Sequence, residues 1–205
     1  DNKHHSYLCK TVVYSMDQIR RARLEVTVWK ALEIYDKLGE EEGMKIFEDL
    51  ENMEKPSSPS SFQRDGYRIY SIFKQHFGDD KRVQDLIVKF WKSKLSTLHN
   101  LSILLIGESA AQDFTQLQKL KELLKDENPD IRNIAQLALR APLKNDPDKM
   151  LKELSGWLSE KDVQLKVAVL ECLRPYADKI LTISWLRDNP EPMLKVISKL
   201  RKEKE

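Results

Sequence analysis

Glycine and proline are scarce, 6 and 8 in 205 residues. An all-β chain needs many turn residues, so this scarcity favours helices. There are only 2 cysteines, Cys9 and Cys172, far apart in the chain. Two distant thiols build no disulfide framework, and Cys172 sits in an apolar helical pattern. Both therefore read as free thiols in a reducing compartment. No sign of charge dominates: 33% of residues are charged, yet the net charge is +2, too near balance to point by itself to nucleic acid. No apolar run reaches the ~20 residues that span a bilayer. The longest, Leu101 to Gly107, is far shorter. No signal-peptide pattern is present, so the expectation is a soluble, cytoplasmic chain without a membrane partner.

Motifs of chemistry are missing too. There is no glycine-rich loop for phosphate, no Cys-x-x-Cys and no His-Glu-x-x-His. Gly107-Glu108-Ser109 lacks the second glycine and the preceding strand of a nucleophile elbow. His76 and His99 are isolated, and His4 and His5 are adjacent, so they do not share a helix face. No catalytic residue, metal ligand or cofactor is expected.

What the chain does have is helical periodicity. From Met16, the residues Ile19, Ala22, Leu24, Val26, Trp29 and Leu32 give a wide apolar face, and Gly39 is a natural stop. A shorter helix with an acidic first turn follows from Glu40. Lys55 to Ser61 (KPSSPSS) has no apolar period and reads as a solvated connection or a phosphorylation site. Ser61 can cap the next helix, which Gly78 ends; Asp79 and Asp80 open another; Gly107 closes the one after that. Residues 1–55 thus read as N-terminal helices, 56–61 as a linker loop and 62–205 as a repeat array, with one continuous solenoid as the alternative.

The array rests on self-similarity. Shifting Leu120 to Pro142 (LKELLKDENPDIRNIAQLALRAP) by 34 positions places Leu120 on Leu154, Leu124 on Leu158, Ala135 on Val169, Ala138 on Cys172 and Leu139 on Leu173. The turn returns near the end, where Trp185 to Met193 (WLRDNPEPM) is similar to LLKDENPDI. Asp or Asn there can cap the second helix, and proline is welcome in its first turn. The match one step upstream is partial. One hairpin does not bury its apolar stripe alone, so neighbours stack.

Acid, Pro, acid, branched residue, Arg and then small residues, as in DENPDIRNIAQLAL, resembles the turn and second helix of HEAT/armadillo-type repeats. The resemblance runs from about Asp80 to the end, with Val163 and Gln164 standing where the first unit has Pro129 and Asp130. It implies an all-α fold, a right-handed α-α superhelix of stacked antiparallel helix pairs. Such a scaffold binds a protein partner on its concave side. Val163 to Asp178 (VQLKVAVLECLRPYAD) also resembles the HEAT-like DNA alkylation-repair glycosylases, which implies nucleic-acid binding. The cleft of those enzymes carries a Trp-Asp pair. In LIVKFWKSKLSTLHN, Trp91 is followed by Lys92, and no carboxylate comes before Glu108.

Two functions follow as expectations. A non-catalytic scaffold would meet a protein through the second helices, at Arg132, Gln136, Arg140, Gln164, Lys166 and Arg174, with Asn133 and Glu171 among the same surface positions. These mix donors, acceptors and both charges, as a polar rim does. A nucleic-acid module would use a basic face at Lys81, Lys89 and Lys92, with Arg20, Arg21 and Arg23 as a second cluster.

Overall fold

The structure is a computed structural model that describes residues 15–174 and 183–200. Every regular element among them is helical. Helix α1 spans Met16–Leu38 and α2 spans Glu40–Glu48, followed by a 3-10 turn, Asp49–Asn52. Ser15 and Gln18 form a capping box at the start of α1, and Gly39, at φ 98°, donates its N–H to Tyr35 O at the end. Glycine takes that φ without the penalty a Cβ would bring. The apolar face of α1 is split rather than continuous. Leu24, Val28, Ala31 and Leu32 are buried, while Met16, Ile19 and Val26 stay exposed. Its packing partners, α2 and the next long helix, cover one side only.

That next helix, α3, spans Pro59–Phe77. It starts earlier than the sequence suggests. Ser58, not Ser61, is the N-cap, accepting from Ser61 N at 3.2 Å, and Ser60 and Ser61 are buried inside the helix. The irregular linker therefore ends at Ser58. Gly78 closes α3 at φ 65°. Helix α4 spans Asp80–Lys92, and Asp79 caps it. Phe47, Phe73 and Phe90 meet edge to face at 5.0 to 5.9 Å and form the aromatic centre of this half.

Helix α5, Ser96–Gln112, is the most deeply buried and packs on both α3 and α4. Gly107 does not close it. The helix runs on to Gln112, and a Cβ at Gly107 would lie 2.5 Å from Ala138 O. The glycine is there because another helix end presses against it, not because the chain turns.

A second 3-10 turn, Phe114–Gln116, leads into α6, Leu117–Leu123, then α7, Pro129–Ala138, and α8, Arg140–Asn145. Next come α9, Pro147–Trp157, and α10, Val163–Leu173. Beyond the undescribed residues lie α11, Ser184–Asp188, and α12, Pro190–Ile197. The 34-residue offset relates several apolar positions of equal burial. Leu120 and Leu154 are fully buried, as are Ala135 and Val169, and Leu139 and Leu173 are 0% and 2% exposed. The caps obey the same offset: Asn128 accepts from Asp130 N, and Asp162 accepts from Gln164 N and Leu165 N. The third turn differs. Asn189 makes no side-chain cap for α12, and its Nδ2 donates back to Trp185 O at 3.0 Å.

Candidate binding cleft

A cleft of about 700 Å³ opens between helices of both halves of the described residues. Four helices and one connection form it. Helix α1 gives Arg20 and Leu24, α3 gives Phe62 and Asp65, α5 gives Asn100 and Leu101, and α7 gives Asn133 to Leu137 except Ala135. The connection from Met53 to Ser58 closes one side.

Polar clamps fix this wall at both ends. At one end Glu51 accepts from Thr97 N at 2.8 Å and from Ser96 Oγ at 2.9 Å. It thereby caps α5, which has no side-chain cap of its own. The Thr97 N–H is the main reason its carboxyl is held below the ordinary value. At the other end Ser57 Oγ donates to Asp17 Oδ1 at 3.4 Å, and Ser61 Oγ donates to the same oxygen at 2.5 Å. The Ser61 bond is the largest cause of the lowered Asp17 pKa.

Beneath that end lies a buried ion pair. Arg20 donates to both carboxylate oxygens of Asp65, each at 2.9 Å, and to Ser61 Oγ at 3.2 Å. Arg20 is 5% exposed and Asp65 2%. Burial pushes the Asp65 carboxyl above its ordinary value, against the pull of Arg20. A two-pronged guanidinium fixes the α1–α3 crossing in angle as well as in distance. Arg20 is thus a strut between helices and no part of a surface basic cluster. Arg21 also leans on Asp17, Nε to Oδ2 at 3.3 Å.

The charged residues lining the cleft balance, Arg20 and Lys55 against Asp65 and Glu54, and of these Arg20 and Asp65 form an ion pair. Its floor is apolar, from Leu24, Leu50, Phe62, Leu101, Ile134 and Leu137. Above the floor stand three carboxamides, Asn100, Asn133 and Gln136, which line the cleft without a side-chain hydrogen bond to the protein among the described residues.

Of the positions chosen from sequence, the cleft contains Gln136 and its neighbour Asn133. Arg132 turns back on its own loop, donating to Asp126 O at 2.6 Å and Glu127 O at 2.9 Å. Arg140 is not a surface residue; it is 4% exposed and reaches Glu171 O at 3.4 Å. Helix α8 starts at Arg140, directly after α7, and this folds the side chain under α10. Arg174, its repeat partner, is exposed and pairs with Glu171 at 3.4 Å. Gln164 is exposed and Lys166 half-buried, both outside the cleft. The three lysines of the basic face differ in what they touch. Lys81 and Lys92 are exposed, while Lys89 pairs with Glu40 and donates to Tyr35 Oη at 2.9 Å.

Two features escape sequence reasoning. Asn100 carries no signal, because a lone polar residue in an apolar helix is ordinary. The Arg20–Asp65 pair joins residues 45 apart, with no motif between them. His99 stacks on Trp91, ring centres 4.2 Å apart, and bonds through Nδ1 to Trp91 O at 2.8 Å. Glu108 is not part of the cleft lining; burial raises its carboxyl to about 7, against the pull of the Lys144 charge. Cys172 is buried, which lifts its thiol to about 12. Cys9, His4 and His5 lie outside the described residues. Among the described residues no His, Cys, Asp and Glu grouping fits a metal ion, and no helix is long and apolar enough to cross a membrane.

No family model, curated protein or solved structure matches this chain. The cleft itself therefore carries the functional reading.

Proposed function

We propose that the chain is a non-catalytic helical scaffold that binds a protein partner in this cleft, its hairpins following the HEAT-like, right-handed superhelical plan. One observation carries the reading: the cleft has an apolar floor, a rim of neutral hydrogen-bonding groups and balanced charge. Protein partners bury apolar area inside a polar rim. A phosphate backbone needs rows of unpaired cations, and the arginine in this cleft is spent on Asp65.

The nucleic-acid alternative, including a divergent repair glycosylase, has less support. Trp91 is engaged with His99, and Glu108, the first carboxylate after it, is outside the cleft. An anisotropy titration with duplex DNA at low and moderate salt separates the two. The scaffold reading expects weak binding with no preferred site, unaffected by Leu137→Asp. It is wrong if DNA binds tightly, weakens steeply with salt and is lost in that cleft variant, or if methylated purine is released above background.

A further inference from the structure

The cleft also says what form its partner takes. A carboxamide offers an N–H donor and a C=O acceptor side by side, the same pair that a main-chain amide offers. Asn100, Asn133 and Gln136 present three such pairs on two helices, none spent on the protein's own side chains or backbone among the described residues. Asn100 and Gln136 are half-buried, so a partner seated on the floor removes their water. Covered groups of this kind are costly unless they are bonded. A helix brings no such bonds, because its own main chain is already satisfied. An extended segment carries free amide N–H and C=O groups at every residue.

The floor sets the second requirement. Leu24, Phe62, Leu101 and Leu137 meet at the base of about 700 Å³ of open volume, enough to accept a large side chain together with the backbone that carries it. The charges set the third. Arg20 is held by Asp65, and the exposed Lys55 and Glu54 leave the lining with no net charge, so the cleft draws neither sign of segment.

Resting on the scaffold reading, we propose that the occupant is an uncharged, extended polypeptide segment. Asn100, Asn133 and Gln136 read its main-chain amides, and one large apolar side chain of the segment fills the floor between α1, α3, α5 and α7. Specificity then lies in backbone form and in one anchor residue, with little demand on the flanking side chains.

The test is selection of displayed heptapeptides on the full chain, followed by anisotropy with the best binder and its main-chain ester analogues. The expected winners carry a single aliphatic or aromatic anchor and no net charge. Esters at two or more positions weaken binding about tenfold each, as lost charge-neutral hydrogen bonds do. Asn133→Ala with Gln136→Ala weakens the parent peptide about as much and shrinks the gap between amide and ester. If winners bind through Leu137 but are helical when bound, or their esters bind as well as the amides, the extended-segment proposal fails and the scaffold reading stands. If Leu137→Asp leaves every winner unaffected, or no peptide is enriched, both fail together.

Discussion

The α1–α4 half and the α6–α10 half both bury apolar faces, but they hold themselves together by different means. The second half is modular. Leucines and alanines repeat at a fixed offset, and each second helix begins on its own Asn or Asp cap. The first half is held by single, unrepeated devices: three phenylalanines in mutual contact and one buried Arg–Asp pair. Energy in the modular half is spread over similar small units. Energy in the other half is concentrated, so its loss at one position is abrupt. Helix α5 is shared by both, touching α3 and α4 as well as α7 and α8.

The sharpest way to test this contrast is to break the ion pair. Asp65→Ala leaves a buried guanidinium with part of its bonding gone and is expected to cost ~3–5 kcal/mol in chemical denaturation. Arg20→Met with Asp65→Leu removes both charges and is expected to be near neutral in stability. If the single change were as mild as the double, the pair would not fix the α1–α3 crossing.

Next come the paired leucines. Leu139 and Leu173 occupy equivalent buried positions, so Leu139→Ala and Leu173→Ala should each cost ~2–5 kcal/mol. The comparison matters more than either value. Leu139 sits beside α8 and the centre of the molecule, so its loss should be the larger. The reverse order in urea melts would count against a single cooperative array.

These two pairs also show how much of the fold is legible in the sequence. The leucines are readable because burial at these positions repeats with the 34-residue offset. Gly39 and Gly78 are readable because positive φ at a helix end asks for glycine. Gly107 looks the same in sequence and is not. Its reason is the approach of Ala138, 31 residues away, which no local pattern encodes. Arg140 and Arg174 fall on one another in the repeat, yet one is buried and one exposed, because α8 continues the chain after the first. The cleft is the least legible part. Of its three carboxamides, α7 supplies two from the repeat, while Asn100 comes from the shared helix α5 and the wall from Met53 to Ser58 from the half that does not repeat.

A third prediction concerns the shared helix. Burial holds the Glu108 carboxyl at about 7, well above the ordinary glutamate value of 4.5, with Lys144 pulling it down. A folded-state pKa above the unfolded one means the folded chain binds the extra proton. The stability tied to that proton is complete below about pH 4.5 and drains away as pH rises through about 7. The full effect of such a shift is about 3 kcal/mol. Glu108→Gln should therefore flatten the stability profile between about pH 5 and about pH 8 and raise stability at the alkaline end. Melting both proteins across that range checks it, and an unchanged slope would show that Glu108 is solvated on both sides of unfolding.

The smallest effects come from the caps, and they probe the repeat at its finest grain. Asn128→Ala and Asp162→Ala each remove a side-chain acceptor from a helix start, a loss of ~1 kcal/mol. Their geometry is not identical. Asn128 serves one N–H, Asp130 at 2.9 Å, while Asp162 serves two, Gln164 at 2.8 Å and Leu165 at 3.2 Å. Asp162 also brings a negative charge to the positive end of α10. It should therefore cost more to remove, and Asp162→Asn isolates the charge by keeping the acceptor, at ~0.3–1 kcal/mol. Pro129 compensates at the other site. It fixes φ at the first position of α7, where α10 has Val163, so the loss of the Asn128 cap is cushioned by a start that remains rigid. If Asn128→Ala proved the costlier change, the two hairpins would share their burial pattern without sharing the way their second helices begin.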